Sequence, residues 1–263
     1  MRGMKCKSFF AAALWLLGFA SAKGQTTDSL TVHFASNESV LAPEEQGTID
    51  RQFNFYRPGL LSIELVGYCD NVGGDKYNDS LSDQRIAGVK KYLQSRGMAD
   101  TLFKILRSYG KRRPLNDNAD EDKRSLNRRV TIVWQLDTAA LMGKNLVLNI
   151  LFTRDTHHPV AGSFPALHDL LMVMRKRPGL KIEIQGYVCC IDEGRDGFDI
   201  ETRADDLSLQ RAKSVYTYLA NFGVDPGRIS YKGFGGSRKI YPNEASDWEK
   251  LRNRRVEIKI LQW

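Results

Sequence analysis

Residues 67–97, GYCDNVGGDKYNDSLSDQRIAGVKKYLQSRG, decide the fold, because they join a strand end, a glycine-rich loop and an amphipathic helix. The helix is predicted by apolar residues eight and then four positions apart, which share one helical face, namely Leu81, Val89 and Leu93. Arg85 lies in the middle of that face. The sequence therefore places a guanidinium group on the core side of the helix.

Arg85 needs a partner, because a guanidinium group stays charged and is costly to bury without a carboxylate or a ligand that supplies one. Asp70 is the nearest candidate. It follows residues 62–68, whose alternation and β-branched side chains predict a strand, and it opens the glycine-rich loop at residues 70–74. We therefore expect the strand, the loop and the helix to bring Asp70 and Arg85 together in a cleft.

The same pattern occurs twice in the chain. Residues 81–97 carry LSxQRxxxVxxYLxxxG, and residues 207–223 repeat each of those positions with a shift of 126. The tetrapeptide NRRV at residues 127–130 recurs at residues 253–256 with the same shift. Two copies of one domain are the economical explanation. We predict these domains at residues 28–137 and 146–263.

Each copy is predicted to fold as β-α-β-α-β-β, an α+β sandwich with helices packed on one face of a mixed sheet. Residues 111–126 are polar and weakly periodic, which predicts a long loop before the last strand of the first copy. That strand begins at Arg128, on its more apolar face. The alternation turns the residue after Arg128, which is Arg129, toward solvent. It does the same for Arg255, the equivalent residue of the second copy.

The first 22 residues predict export. Basic residues precede an apolar run at residues 9–20, and Ala20-Ser21-Ala22 is a small-residue cleavage pattern, which indicates a secretory signal peptide at residues 1–22. Its removal deletes three positive charges and lowers the formal net charge from +8 to +5. No later stretch is long and apolar enough to predict a transmembrane segment in the mature chain. Because the protein is predicted to be exported, nucleic acid is not an expected partner, despite the positive net charge of the chain.

The candidate pocket of the first copy combines one carboxylate with two guanidinium groups, those of Asp70, Arg85 and Arg128. The excess positive charge would attract a carboxylate, which guanidinium groups bind in bidentate fashion. Asp70 would then be available for an ammonium group on the same ligand. The residues thus predict a small zwitterion, such as the end of an amino acid or peptide. The alternative is a structural ion pair that ties the loop to the helix.

Taken together, these motifs resemble the OmpA-like C-terminal domain, which is also found in peptidoglycan-associated lipoproteins and flagellar stator proteins. The resemblance rests on four stretches in matching order: GYxDNxG at 67–73, NxxLSxxRxxxVxxxL at 78–93, YGxxxP at 109–114 and NRRV at 127–130. It implies non-covalent binding of the diaminopimelate side chain in the peptidoglycan stem peptide, outside the cytoplasmic membrane. By position, it implies Asp70 and Arg85 as the main ligand contacts, with Asn37, Asn78 and Arg128 around them.

Some positions depart from the family pattern. In the first copy, Cys69 stands where a threonine is usual, and Ala35 stands where an aspartate is frequent. In the second copy, Cys189 replaces the ligand-binding aspartate, and seven residues are inserted before Arg211. The insertion brings acidic residues, of which one could substitute for the aspartate unless the loop is simply solvated: Asp192, Glu193, Asp196, Asp199 and Glu201.

We therefore expect the first copy to bind peptidoglycan and the second copy to be degenerate or to bind something else. The candidate site of the second copy consists of Arg211 and Arg254. Both could equally be structural arginines in a domain that has lost its ligand.

Catalysis has no support in the sequence, because no nucleophile, base and orienting group form a recognisable pattern. We predict no enzyme activity, no cofactor and no metal site. Two adjacent pairs, Cys189-Cys190 and His157-His158, offer zinc ligands, but their spacing does not match that of usual zinc sites. The pairing of the three cysteines left after cleavage, Cys69, Cys189 and Cys190, stays open.

These observations predict an exported, non-enzymatic periplasmic protein that is associated with the cell wall and outer membrane. Peptidoglycan is the expected partner, and the protein would anchor or position an outer-membrane or periplasmic component against it. The alternative is a scaffold in which both domains bind outer-membrane or periplasmic proteins and the arginine clefts are vestigial.

Overall fold

The computed structural model describes residues 24–263, so the predicted signal peptide at residues 1–22 lies outside the described residues. Two four-stranded sheets follow one another along the chain. The first contains β1 (Gln25–His33), β2 (Leu60–Tyr68), β3 (Phe103–Ser108) and β4 (Arg129–Asp137). The second contains β5 (Asn145–Leu151), β6 (Lys181–Gly186), β7 (Ile229–Gly233) and β8 (Arg255–Gln262).

Within residues 24–263, three α-helices accompany each sheet, and one short α-helix joins the two copies. The helices of the first copy are α1 (Pro43–Tyr56), α2 (Asp75–Ser95) and α3 (Glu121–Asn127). The connecting helix is α4 (Thr138–Leu141). The helices of the second copy are α5 (Phe164–Lys176), α6 (Leu207–Asn221) and α7 (Asp247–Asn253).

Both sheets have the same topology. Their strand orders are β1-β4-β2-β3 and β5-β8-β6-β7. In each sheet the third and fourth strands in that order run parallel, and the other neighbouring pairs run antiparallel. The repeat in sequence is thus a repeat in structure, and the predicted α+β class with two mixed sheets in tandem is confirmed.

Helix α2 packs its apolar face on the first sheet, as its residue spacing predicts. The three apolar residues that define that face are buried, and Arg85 among them has no solvent exposure. The helix approaches the end of β2 so closely that a Cβ on Gly67 would lie 2.7 Å from the carbonyl oxygen of Ser82. Glycine is required there, and this contact holds Arg85 beside the loop that follows β2.

The predicted long loop at residues 111–126 is partly wrong, because it contains the beginning of α3. Asp120 is the N-cap residue of this helix, and its carboxylate accepts a hydrogen bond from the backbone N–H of Lys123 at 2.8 Å. An N-cap aspartate followed by acidic residues is a helix-start signal that the weak apolar periodicity concealed. The second copy has the equivalent helix, α7.

The prediction that Arg129 and Arg255 face solvent is also wrong, because both side chains are buried. The guanidinium group of Arg129 lies 3.8 Å from the ring centroid of Tyr68, and that of Arg255 lies 4.2 Å from the ring centroid of Tyr187. Arg255 also donates to Glu257 from Nε at 2.8 Å. Alternation assigned these arginines to the correct face of the strand, but a tyrosine at the end of the neighbouring strand (Tyr68) or just after it (Tyr187) covers that face.

The two copies contact each other through α1 of the first copy and through β5 and α5 of the second. Asp28 of β1 is the charged centre of this contact, with 6% exposure. Its carboxylate accepts hydrogen bonds from Tyr56 Oη at 3.1 Å and Arg177 Nη2 at 2.9 Å, and it also pairs with Lys176. The ring of Trp263 lies against Tyr56, with 6.2 Å between ring centroids.

Candidate functional site

The loop after β2 carries a buried ion pair. Asp70 Oδ2 accepts a hydrogen bond from Arg128 Nη1 at 3.0 Å, and both side chains are almost fully buried. Asp70 Oδ1 accepts from the backbone N–H of Val72 at 3.1 Å, which fixes the carboxylate in the loop. Arg128 also donates from Nε to the carbonyl oxygen of Phe34 at 3.1 Å. The end of β1, the loop after β2 and the start of β4 therefore meet at this pair.

Arg85 has a different set of partners from the one that its sequence context predicts. The sequence predicts that Asp70 neutralises it directly, but Asp70 pairs with Arg128. Arg85 donates instead to three backbone carbonyl oxygens: those of Glu38 at 2.8 Å, Tyr68 at 3.1 Å and Ala35 at 3.3 Å. Burial lowers the pKa of the Arg85 guanidinium, and the nearby Asp70 charge partly opposes that shift.

The two asparagines predicted at the site have distinct positions. Asn78, in the first turn of α2, is buried and donates from Nδ2 to the carbonyl oxygens of Val72 at 2.9 Å and Gly74 at 3.3 Å. Asn78 therefore holds the loop that presents Asp70. Asn37 is exposed on the turn after β1, with a φ of 60°. Asparagine is one of the residues that tolerate this left-handed conformation.

Glu121 is a member of the site that the sequence analysis missed. Its carboxylate accepts a hydrogen bond from Arg128 Nη2 at 2.6 Å, and its side chain remains 61% exposed. Hydrogen bonds from Arg128 and then Arg124 lower the pKa of the Glu121 carboxyl. The site therefore contains two carboxylates and two guanidinium groups, and the excess positive charge predicted from Asp70, Arg85 and Arg128 is offset by Glu121.

The second copy repeats the core arginine. Arg211 has no solvent exposure and donates to the carbonyl oxygens of Thr153 at 3.0 Å, Thr156 at 3.1 Å and Tyr187 at 3.3 Å. Its guanidinium group lies 5.5 Å from the ring centroid of Phe152. Burial lowers the pKa of Arg211 to about 10. In both copies, the buried arginine links two segments of the chain. One segment follows the first strand of the copy, and the other is the end of the second strand.

The second copy lacks the ion pair of the first. Cys189 stands at the position of Asp70, and its Sγ lies 3.6 Å from Arg254 Nη1. Two acidic residues of the inserted loop are held elsewhere. Asp196 accepts from Ser208 Oγ at 2.5 Å, and Asp199 lies 2.6 Å from His157 Nδ1. Arg254 and Arg211 line the same cavity, but these two acidic residues are engaged away from Arg254.

The histidine and cysteine pairs lie in separate clusters within residues 24–263. His157 and His158 cluster with Glu201, and Cys189 and Cys190 cluster with Glu244. The combined zinc site considered from the sequence is therefore not assembled in the described part of the chain. The cysteines at positions 69, 189 and 190 are free thiols, and Cys69 donates to the carbonyl oxygen of Asn78 at 3.3 Å.

The fold and the site define a class of protein, in which two α+β copies each hold a buried arginine behind the loop at a strand end. The OmpA family model matches residues 33–128 and 164–254, which is more than half of the chain. The chain belongs to the OmpA family. This match confirms the family resemblance inferred from the motifs.

Individual relatives match shorter parts of the chain. It is 35% identical over 102 residues to outer membrane porin F of Pseudomonas fluorescens, covering 38% of this chain and 31% of the relative. It is 30% identical over 102 residues to the peptidoglycan-associated lipoprotein of Pseudomonas aeruginosa, covering 39% and 60%. The peptidoglycan-associated lipoprotein structure from Burkholderia pseudomallei aligns with 25% identity and a TM-score of 0.36, over 40% of this chain and 88% of that one. The chain thus spans less than two thirds of both curated relatives.

None of the helices within residues 24–263 combines the length and the hydrophobicity that crossing a membrane requires.

Proposed function

We propose that the first copy binds peptidoglycan non-covalently and holds an outer-membrane or periplasmic component at the cell wall. The observation that carries this proposal is the buried pair of Asp70 and Arg128, 3.0 Å apart at a strand-end loop in a member of the OmpA family. A relative at 30% identity is named a peptidoglycan-associated lipoprotein, which supports the same ligand. We place the protein in the periplasm, consistent with its predicted signal peptide.

The part of peptidoglycan that we propose as ligand is the diaminopimelate side chain, which ends in a carboxylate and an ammonium group. Asp70 supplies the negative charge for the ammonium group, and Arg128 supplies the guanidinium group for the carboxylate. Arg85 is buried with its donors on backbone carbonyl oxygens, so it acts on the ligand through its charge and through the loop that it fixes. Asn78 braces that loop, and Asn37 lies on the turn after β1.

Glu121 occupies the place on Arg128 that a ligand carboxylate would take. It is the more exposed of the two carboxylates that contact Arg128, with 61% side-chain exposure against 7% for Asp70. A carboxylate in solvent exchanges its partners more readily than a buried one. We propose that the ligand carboxylate displaces Glu121 while Asp70 stays in place.

Replacement of Asp70 by asparagine tests the proposal. The amide keeps the shape of the side chain and still accepts from Val72, but it leaves Arg128 without its buried counterion and the ligand ammonium without a carboxylate. We expect affinity for diaminopimelate-type peptidoglycan to fall by at least about tenfold. The measurement is co-sedimentation of the signal-free chain with purified sacculi over a range of protein concentrations.

The matched control is Asp117→Asn, which makes the same chemical change on an exposed carboxylate of the first copy that pairs with Lys123. This variant should pellet like the wild type. Equal pelleting of Asp70→Asn and Asp117→Asn, with both variants folded, would contradict the assignment of the cleft. A wild-type protein that stays in the supernatant would favour the protein-binding scaffold instead.

Replacement of Glu121 by glutamine should have the opposite effect on binding. The neutral amide competes less well for Arg128 than a carboxylate does, so a ligand carboxylate meets less resistance. We expect the affinity for sacculi to rise by about threefold. The same co-sedimentation assay measures it, with Asp122→Asn as a control on the neighbouring exposed position of α3. A weakened interaction would show that Glu121 takes part in binding rather than opposing it.

A further inference from the structure

The second copy contains a cavity of about 330 Å³ at the position of the strand-end loop. Pockets that hold small molecules generally begin at about this volume. Arg211, Arg254 and Cys189 are among the residues that line the cavity. Most of the remaining lining is apolar, from residues flanking or belonging to the inserted loop: Val188, Ile191, Phe198, Ile200 and Leu207.

Arg254 has lost both carboxylate partners of its counterpart Arg128. At the position of Asp70 there is Cys189, a thiol whose Sγ lies 3.6 Å from Arg254 Nη1. The residue equivalent to Glu121 is Asp247, which lies 126 residues further along the chain. Its side chain is fully exposed and pairs with Lys250 at 3.7 Å. Arg254 Nε is buried and has no hydrogen-bond partner. A buried donor without an acceptor is a cost that a bound anion would remove.

Three other acidic groups near the cavity have partners of their own. Asp155 lines the cavity and pairs with Arg154 at 3.2 Å. Asp196 accepts from Ser208, and Glu244 accepts from Lys239 Nζ at 2.8 Å and from Asn253 Nδ2 at 2.9 Å. Glu244 also accepts from the backbone N–H of Cys190. The cavity therefore offers guanidinium donors to a ligand. At the position that Asp70 occupies in the first copy, the second copy has no carboxylate.

Two large apolar side chains of the inserted loop stand at the mouth of the cavity without a partner to cover them. Phe198 is 50% exposed and Ile200 is 57% exposed, whereas Val188 and Leu207 are buried behind them. Adjacent exposed apolar side chains that line a cavity are characteristic of a surface that binds an apolar group. A ligand for this cavity should thus combine an anionic end with an apolar body.

We propose that the second copy binds an organic carboxylate that carries an apolar substituent and no ammonium group, such as a peptide C-terminus with an apolar last residue. The carboxylate accepts hydrogen bonds from Arg254, and the substituent packs between Phe198 and Ile200. An ammonium group next to the carboxylate would find no negative charge at Cys189, and Asp155, which lines the cavity, is paired with Arg154. The proposal concerns a different cavity from the peptidoglycan site and does not depend on that function.

Binding of three small probes to the signal-free chain tests the ligand class, measured by calorimetry under reducing conditions. N-acetyl-leucine carries the carboxylate and the apolar body, N-acetyl-leucinamide lacks the charge, and inorganic phosphate lacks the apolar body. We expect N-acetyl-leucine to bind at least about tenfold more tightly than either of the others. Equal binding of N-acetyl-leucinamide or of phosphate, or no binding of N-acetyl-leucine at all, would overturn the proposal.

Cys189→Asp tests the location of the site, because it restores the carboxylate that the first copy has at this position. The new carboxylate should pair with Arg254, as Asp70 pairs with Arg128, and should lower the affinity for N-acetyl-leucine by at least about tenfold. Cys189→Ser removes the thiol without adding charge, so it is the reference against which the affinity of Cys189→Asp is compared. Unchanged affinity in a folded Cys189→Asp variant would overturn the assignment.

A variant on the exposed rim keeps the test valid if Cys189→Asp fails to fold. Phe198→Ala removes half of the apolar mouth at a position with 50% exposure, where a substitution has little influence on folding. It should weaken binding of N-acetyl-leucine by about fivefold while leaving binding of acetate unchanged. An equal effect on both ligands, or none on either, would contradict packing of the substituent against this side chain.

Discussion

Replacing Arg85 by lysine is expected to lower the free energy of unfolding by about 3 kcal/mol, although the charge is retained. The guanidinium group of Arg85 satisfies the carbonyl oxygens of Glu38, Tyr68 and Ala35 at one time. An ammonium group is a single point and cannot reach all three oxygens from the same helix position. At least one buried acceptor would lose its donor, at a cost of about 1–3 kcal/mol for each such group.

The measurement is thermal and denaturant unfolding of the full signal-free chain, with Arg211→Lys as a second test. Arg211 makes the same three-carbonyl contact in the second copy, so its replacement should destabilise the protein to a similar degree. Arg112→Lys serves as a control, since Arg112 is a half-exposed arginine that pairs with Asp79. If Arg85→Lys is no more destabilising than this control, the carbonyl contacts are not what holds the loop.

Sequence was sufficient to predict the repeat, the fold class and the burial of Arg85. Apolar spacing along α2 reports directly on the helix face that packs against the sheet, and Arg85 lies within that spacing. The shift of 126 residues shows that the same arrangement is built twice. These features follow from local periodicity in the sequence, so predicting them does not require any tertiary contact to be known.

The partner of each arginine could not be predicted in the same way. Arg85 is satisfied by backbone carbonyl oxygens, which every residue has, so no residue type in the sequence marks them. Arg128 joins Asp70 only because β4 lies next to β2 in the sheet, although 58 residues separate the two in the chain. Glu121 had a signal, because the N-cap residue Asp120 begins its helix, but its contact with Arg128 required that helix to be recognised first.

The contact between the two copies is expected to depend on Asp28 more than on any neighbouring surface charge. This buried carboxylate of the first copy receives Arg177 and Lys176 from the end of α5 in the second copy, and Tyr56 from its own copy. Burial alone would raise the pKa of Asp28, but Lys176, the backbone N–H of Ser29 and Arg177 together outweigh it, so the pKa lies below its ordinary value. The folded protein therefore favours the charged form of Asp28.

Asp28→Asn should lower the free energy of unfolding by about 3 kcal/mol at neutral pH, because it leaves the largely buried Arg177 without a counterion. The pH dependence follows from the direction of the pKa shift. Since the pKa of Asp28 is lower in the folded than in the unfolded chain, its contribution is complete above pH 3.8 and is lost as the pH falls through the folded-state pKa. The stability difference between wild type and Asp28→Asn should therefore be constant between about pH 5 and 8 and shrink below about pH 4.

Denaturant unfolding of both proteins across this pH range is the measurement, and Asp50→Asn is the control. Asp50 forms an ion pair with Arg96 at 2.8 Å on the surface of the same copy, so its loss should have a much smaller effect at every pH. A difference for Asp28→Asn that persists undiminished in acid would mean that the aspartate stabilises the protein by its shape and hydrogen bonds rather than by its charge. The contact between the copies would then rest on the aromatic packing of Trp263 against Phe55 and Tyr56, which protonation of Asp28 leaves in place.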